Sequence, residues 1–385
     1  MRERFAVKII LLTFALVMAV TTAKRNSMKI YNSIKYSALK LLTAFIFALA
    51  LPIGAIANEE EGGEEINVQK IIFDHMSDAY EWHLWGHTHI SLPVIVKHHE
   101  GGWEVFSSAR FHEGADGTYN GFYIDHERKD KIYERGYEDR PWDLSITKDV
   151  LQIWINIAVM LLIFIPCARW YARRRAEGDH SAPKGFRGAV EMLTMYIHDD
   201  VIKACIGEKH YRRYAPYLLT VFFFIFVTNL MGLIPIFPGG SNVTGNLSIT
   251  LLLAVGTFLL VNIFGNKEYW KEILWPDVPM MMKCPVPLMP VVEIIGIFTK
   301  PFALMMRLFA NMFGGHTVIL SLTCLIFITF KVSIGMGSSM TVVSFLMLIF
   351  MNCLELLVAF LQAYVFTMLS SVYIGLAHPE RHHAK

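Results

Sequence analysis

The feature that most constrains this chain is a set of five long apolar stretches separated by shorter polar segments. A helix of roughly 20 apolar residues crosses a hydrocarbon layer about 30 Å thick, and 54% apolar residues are more than one soluble core would bury. We therefore predict an all-α polytopic membrane protein with about five membrane-embedded helices, the last two long and strongly tilted because they exceed a perpendicular span. The stretches are residues 150–166, 214–235, 247–264, 287–330 and 340–377.

Basic residues follow the first apolar stretch, and they predict its orientation. Arg169 and the run 173–175 lie directly after it, and Lys184 and Arg187 come next. Cytoplasmic loops carry an excess of Lys and Arg, so we place this loop in the cytoplasm. Residues 186–206 have helical periodicity and a polar face, which predicts a cytoplasmic helix on the membrane surface.

Residues 1–57 have the pattern of a targeting region. Two apolar blocks, 5–20 and 38–57, each follow Lys or Arg. Residues 28–57 resemble a signal peptide, with lysines, an apolar centre and small residues before an acidic run, so we expect cleavage after Ala57. Whether translation starts at Met1 or Met28 is left open by the sequence.

Residues 58–145 are predicted to form a small His-rich extracytoplasmic domain. Alternating runs at 90–96, 103–106 and 121–124, bounded by Gly, Asp and Asn, predict short strands. His87 and His89 could hold a metal from one strand, but no cysteine or ordered carboxylate spacing accompanies them. We therefore expect hydrogen-bonded or hydrated histidines, and no bound metal or cofactor. Residues 146–385 make up the membrane domain.

Charged and amide side chains lie within the last two apolar stretches. A charge at the bilayer centre costs about 2.5 to more than 10 kcal/mol, so such residues are usually functional. At 100° per residue, Glu293, Lys300, Arg307 and Asn311 fall on one narrow stripe, whereas His316 points to the opposite side. No acid lies within one turn of Arg307, so its partner must come from another helix or another chain.

The final apolar stretch carries a second polar line, formed by Glu355, Gln362 and Tyr373. Each of these residues returns to nearly the same face of a helix. A carboxylate, an imidazole, an amide and a phenol at membrane depth can pass protons or hold water. Arginine stays charged and cannot relay a proton, so Arg307 would act as a barrier or a counter-ion.

Two of these segments resemble the signature helices of ATP synthase subunit a. Residues 300–316 read KPFALMMRLFANMFGGH and residues 355–366 read ELLVAFLQAYVF, and the resemblance covers about 150–377, including TNLMGLIP at 228–235. It implies that Arg307 faces a ring of c subunits, each with a mid-membrane carboxylate, and blocks a direct leak between two half-channels. The implied outer half-channel holds His316, Glu355, Asn229 and Gln362; Glu293 lines the other, and Asn311 orients Arg307 or nearby water. Some relatives carry an acid where this chain has Gly232.

The resemblance also implies partners and a location. The partners are the c-subunit ring, the b-subunit peripheral stalk, the rest of the ATP synthase complex and membrane lipid, with no nucleic acid. The location is a bacterial inner membrane, with the His-rich domain in the periplasm. The chain would carry no ATP chemistry, and no Walker-type phosphate loop is present in the sequence. The transported ion is a proton, although sodium is left open because the ring holds the binding carboxylate.

Two other classes fit the sequence less well. A secondary transporter or an ion channel would also bury charges in helices, but transporters commonly show internal repeats with broken helices, and none is found here. An intramembrane metalloprotease needs His-Glu-x-x-His on one helix, and neither His316 nor Glu355 has such neighbours.

Overall fold

The computed structural model of this protein describes residues 76–378 apart from six short gaps, together with residues 69 and 72. The gaps are 86–87, 114–116, 126–129, 179–182, 235–237 and 275–287. The predicted targeting region, its cleavage site and His87 lie outside the described residues.

The N-terminal part is a small strand-rich domain, as predicted. A hairpin pairs β1 (Glu81–Trp85) with β2 (Thr88–Ser91), and two three-stranded antiparallel sheets follow, ordered β4-β3-β8 and β5-β6-β7. The remaining elements are β3 (Pro93–Lys97), β4 (Trp103–Ser107), helix α1 (Ala109–Glu113), β5 (Thr118–Tyr119), β6 (Phe122–Asp125), β7 (Lys131–Glu134) and β8 (Trp142–Asp143).

The core of this domain comes from alternate residues of the strands. Val94 and Val96 of β3 are fully buried while Pro93 and Lys97 are exposed, which is the period-2 pattern of a half-buried strand. Phe106, Phe122 and Ile132 complete the same apolar cluster. The predicted run 90–96 is divided at Leu92 between β2 and β3.

The rest of the described chain is helical. Its elements are α2 (Lys148–Glu177), α3 (Phe186–Met195), a π-helical segment (Tyr196–Lys203), α4 (Ala204–Ile206), α5 (Tyr211–Gly232), a 3₁₀ turn (Val243–Gly245), α6 (Leu247–Ile263), α7 (Lys267–Leu274), α8 (Leu288–Val332) and α9 (Ile334–Leu376). Four of these helices, α2, α5, α8 and α9, are long and apolar enough to cross a membrane, and α6 is a shorter apolar helix. The prediction of a helical, multi-pass membrane protein is confirmed.

Two helices extend beyond the predicted apolar stretches. Helix α2 contains the predicted span 150–166 and continues to Glu177, so it includes the basic residues that follow the apolar stretch. Proline disrupts a helix mainly by losing one N–H bond, and a long helix can tolerate that loss. Helix α9 begins at Ile334, before the predicted start at residue 340.

Helices α8 and α9 form a long antiparallel pair. They contain 45 and 43 residues, which correspond to roughly 65 Å each. Only Ser333, in an extended conformation, separates them. A helix of this length cannot stand upright within about 30 Å of hydrocarbon, so both must tilt or project beyond it.

Helix α5 is the central helix of the membrane domain. In its most apolar window 56% of the residues are buried within the chain, against 17% for α2, α8 and α9. Its side chains pack with α8, α9 and the π-helical segment, where Ile197, Val201 and Ile202 are buried. Residues 186–206 are helical, as predicted. Helix α3 has no buried residues, as expected of a surface helix, but the π-helical segment that follows it packs into the core.

Close approach of α9 and α4 depends on Gly375. A Cβ atom at this position would collide with the carbonyl oxygen of Cys205. The absence of a side chain therefore permits the backbones to touch, as is common where membrane helices pack.

Candidate functional site

Arg307 lies on the outer face of α8. Arg307 and Asn311, one turn later, are both exposed. Among the residues that the structure describes, Arg307 forms no ion pair. An arginine that faces lipid without a counter-ion is costly, so this face requires a partner carrying a negative charge.

His316 and Glu355 are turned to the interior. The Nε2 atom of His316 and both carboxylate oxygens of Glu355 are buried, and none has a hydrogen-bond partner within the described parts of the chain. The carboxylate of Glu355 packs directly against Gly315, where a Cβ atom would collide with it. Since unpaired buried polar atoms cost about 1–3 kcal/mol each, such a group is expected to have a functional reason.

Gly232 of α5 borders the same interior region. A Cβ atom at Gly232 would lie 3.8 Å from Nε2 of His316 and 3.5 Å from the carbonyl oxygen of Ser241. Position 232 is therefore beside the histidine. A side chain there would contact the imidazole directly.

Asn229 connects three elements. Its Oδ1 accepts a hydrogen bond of 2.7 Å from the Thr244 hydroxyl, and its Nδ2 donates one of 3.4 Å to the Ala359 carbonyl on α9. Gln362, two turns beyond Glu355, is also buried. Asn229 thus holds α5 against α9 near the carboxylate, and both of its polar atoms are satisfied.

A polar row on α2 was missed in the sequence. Gln152 and Asn156 are fully buried; Gln152 donates to Asn156 at 2.9 Å, and Asn156 donates to the Thr228 hydroxyl on α5 at 3.2 Å. Asp149, one turn earlier, accepts hydrogen bonds from Ser241 and, at 2.8 Å, from Asn246. The i, i+3, i+7 spacing of these residues in an apolar helix was the available signal.

Glu293 lies at the other end of α8. Its carboxylate interacts electrostatically with Tyr269 of α7. Two turns further along α8, the Lys300 ammonium lies 5.9 Å from the ring centroid of Tyr373. Lys300, Asn262, Tyr269 and Tyr373 line one cavity between α6, α8 and α9. Glu293 therefore belongs to a second polar region, separate from His316 and Glu355.

The two polar regions lie on opposite sides of Arg307 along α8. The rise of a helix places Glu293 about 20 Å from Arg307 in one direction and His316 about 13 Å in the other. The structure thus groups His316 and Glu355, with Asn229 in the adjacent helix, and leaves Arg307 and Asn311 on the surface between the regions.

One group in the strand domain has the geometry to hold a metal ion. Ligand atoms of Glu81, His89 and His112 all lie within 4.8 Å of one another. The Glu81 carboxylate already forms a 2.7 Å hydrogen bond with His112, and His112 and His89 are exposed. The other Glu81 oxygen lies 3.9 Å from Nε2 of His89, so one carboxylate approaches both imidazoles.

Together these features define a multi-pass membrane protein that presents one arginine between two polar regions, one buried and one half-buried, which is the arrangement of an ion-translocating subunit. Residues 150–375 match the family model of the ATP synthase A chain, and residues 71–148 match a domain of unknown function (DUF8433). Because that first match covers more than half of the sequence, the chain belongs to the ATP synthase A chain family. Its function is that of the proton-translocating stator subunit of the F0 sector.

Curated relatives agree with this assignment. ATP synthase subunit a of Chlorobium phaeobacteroides is 42% identical over 250 residues, covering 63% of this chain and 68% of the relative. ATP synthase subunit a 2 of Chlorobaculum tepidum is 44% identical over 248 residues, covering 63% and 66%. ATP synthase subunit a of Myxococcus xanthus is 38% identical over 255 residues, covering 64% and 78%.

Proposed function

We propose that Arg307 is the charge that meets the rotating ring of c subunits. The supporting observation is its exposure on an apolar helix face with no acidic partner in the described chain. A mid-membrane carboxylate on each passing c subunit would supply that partner, and the opposite charge favours its ionised form. Each carboxylate then releases its proton on one side of Arg307 and takes up another on the other side.

We propose that the two polar regions are the two half-channels. His316, Glu355, Asn229 and Gln362 form the outer one, because it contains buried titratable atoms that have no hydrogen-bond partner among the described residues. Glu293 lines the inner one, and its charge acts on Tyr269, which lines the cavity together with Lys300 and Tyr373. Arg307 separates them with a fixed positive charge, so a proton must travel on the ring to pass from one to the other. Asn311 orients Arg307 or the water beside it.

Location and orientation follow from the charges. The basic residues at the end of α2 favour the cytoplasm, and this end is opposite to the strand domain, which follows directly into Lys148 at the start of α2. We therefore place the strand domain in the periplasm, with residues 28–57 as a cleaved signal peptide. The membrane is a bacterial inner membrane, and the neighbouring subunits are the c-ring and the b-subunit peripheral stalk.

The test is replacement of Arg307 in the purified, assembled complex in liposomes. We expect Arg307→Ala to abolish ATP-driven proton pumping while the complex stays intact, and to increase passive proton flux under an imposed potential. Arg173→Ala removes another exposed arginine, at the end of α2, and should pump normally. Pumping by Arg307→Ala near the rate of the unmodified complex would contradict the proposal.

A further inference from the structure

Asp78, just before the first strand, contacts the start of the membrane domain. Its Oδ1 accepts a 3.2 Å hydrogen bond from the backbone N–H of Asp149, and the N–H of Lys148 donates to the Ala79 carbonyl at 2.9 Å. The side chain of Asp78 is still 18% exposed. This acid therefore lies between bulk water and the buried end of α2, and it lies outside the residues that match the A chain family.

The N-terminal segment also touches α8 beside His316. The hydroxyl of Thr317, the next residue, lies 3.4 Å from the sulfur of Met76. The segment that carries Asp78 is thus positioned over both α2 and α8. These are the two helices that carry Asp149 and His316.

Polar groups lie at intervals between Asp78 and His316. Asp149 is buried, and one of its oxygens accepts a hydrogen bond from Ser241. The backbone carbonyl of Ser241 borders the Gly232 position, and so does Nε2 of His316. Water can bridge polar groups across such a side-chain-free position.

The charged groups around Asp78 come from two elements. Lys131 of β7 has its ammonium 3.8 Å from Asp78 Oδ2, and Lys148 and Asp149 belong to α2. The positive charge of Lys148 interacts electrostatically with Asp78, Asp149 and His316. Burial and the negative charge of Asp149 raise the pKa of Asp78, although Lys131 opposes them. A raised pKa helps a surface carboxylate to hold a proton.

We propose that Asp78 is the proton-collecting residue at the mouth of the outer half-channel. This rests on the proposed function of His316 and Glu355. The Asp78 carboxylate takes a proton from external hydronium, leaving water, and transfers it to Asp149, which regenerates the Asp78 carboxylate. Asp149 passes the proton by way of water to His316, and His316 passes it on through Glu355 to the carboxylate of a c subunit, so each residue of this chain returns to its starting protonation state after one cycle.

The experiment measures proton-driven ATP synthesis by the complete complex in liposomes as a function of pH on the strand-domain side. Asp78→Asn keeps the shape and can still accept the Asp149 N–H bond, but it cannot carry a proton. We expect a loss of about tenfold at high pH on that side, and recovery as the pH is lowered and protons become abundant. Asp78→Glu should restore most of the rate.

The control is another partly buried acid of the same domain. Asp143 accepts hydrogen bonds from Tyr80, Arg140 and Ser145 and lies in β8. Asp143→Asn should change stability but leave the pH profile of synthesis unmoved. If Asp78→Asn lowers the rate equally at every pH, Asp78 is only a structural contact and the proposal is overturned.

A parallel Glu355→Gln variant separates this inference from the proposed function. If Glu355→Gln stops synthesis and Asp78→Asn leaves the profile unchanged, the half-channel stands and the role of Asp78 fails. If neither variant changes synthesis, the outer half-channel is wrong as well.

Discussion

Arg307 and Glu355 lie on neighbouring long helices in opposite surroundings. The arginine is exposed on an apolar face, whereas both carboxylate oxygens of Glu355 are buried without partners in the described chain. A charged arginine needs a counter-ion from outside the chain, and a buried carboxylate needs a proton or water. Arg307 therefore requires a carboxylate from a partner, and Glu355 requires a mobile proton.

The packing of Glu355 depends on the absence of a side chain at Gly315. We predict that Gly315→Ala displaces the Glu355 carboxylate, because the new methyl group would occupy its place. ATP-driven pumping should fall by about tenfold or more, since 1 Å of displacement at a reacting group can cost 10²-fold. Pumping rates of purified complexes in liposomes would measure the loss.

A compensating variant tests whether this loss is steric. Aspartate is one methylene shorter than glutamate, so Gly315→Ala combined with Glu355→Asp should pump faster than the product of the two single effects predicts. A double variant whose losses simply multiply would show that Gly315 and Glu355 are not coupled.

At the residue scale, the sequence indicated charged positions better than neutral polar ones. Arg307, His316 and Glu355 are conspicuous because a titratable group in an apolar stretch is expensive. Gln152, Asn156 and Thr228 have no charge, so they did not stand out, although they form a buried row between α2 and α5. Which atoms lack a partner depends on packing between distant segments, and this could not be read from one sequence.

At the scale of elements, two sheets of the strand domain are joined by a histidine and carboxylate cluster. Glu134 of β7 bonds His98 at 2.7 Å and His99 at 2.8 Å, and His98 also bonds Glu104 of β4 at 3.0 Å. His98 packs on Phe122, and His99 stacks on Tyr137. The cluster links the β4-β3-β8 sheet to the β5-β6-β7 sheet.

This cluster predicts a pH optimum for the domain. Burial alone would raise the pKa of Glu134, but hydrogen bonds from His98 and His99 outweigh it and lower the pKa from 4.5 to about 2. Its stabilisation is therefore present above pH 4.5 and is lost as the pH falls towards about 2. The Glu134 hydrogen bond raises the pKa of His98 above 6.5. The stabilisation that protonated His98 provides is therefore present below pH 6.5 and is lost as the pH rises through the raised pKa.

We therefore expect β3, β4, β6 and β7 to be most stable between about pH 4.5 and 6.5. Hydrogen exchange of their amides in the intact complex would measure this. Glu134→Gln should flatten the dependence and lower the free energy of opening by about 1–2 kcal/mol, a value reduced for solvent screening. The exposed Glu113→Gln should leave the dependence unchanged. An unchanged profile in Glu134→Gln would exclude the cluster as its source.

The strand domain was only partly predictable because its elements are short. Strands of two residues, such as β5 and β8, are too short to show an alternating pattern, and they exist through pairing with β6 and β3. The long membrane helices gave a clear signal, since apolar runs of this length fit no other structure. Their ends were less clear, as the continuation of α2 through Pro166 shows.

At the scale of the whole molecule, the strand domain and the basic end of α2 should lie on opposite sides of the membrane. Helix α2 is 30 residues long, or about 45 Å, which is enough to cross the bilayer fully. The domain connects to its first residue, and Arg173, Arg174 and Arg175 are near its end. From the positive-inside rule we predict that the arginines lie in the cytoplasm and the domain in the periplasm.

We predict that a cysteine in place of the exposed Glu113 in α1 reacts with a membrane-impermeant maleimide in intact spheroplasts. A cysteine in place of Glu177, at the end of α2, should react only after the membrane is permeabilised. The parent chain, with its own cysteines, sets the background. Labelling of position 177 from outside, with position 113 protected, would show that the orientation is opposite to the one proposed. Asp78 would then face the cytoplasm. In that case protons would enter near His316 from inside the cell, so the same pair of variants also decides which half-channel is the outer one.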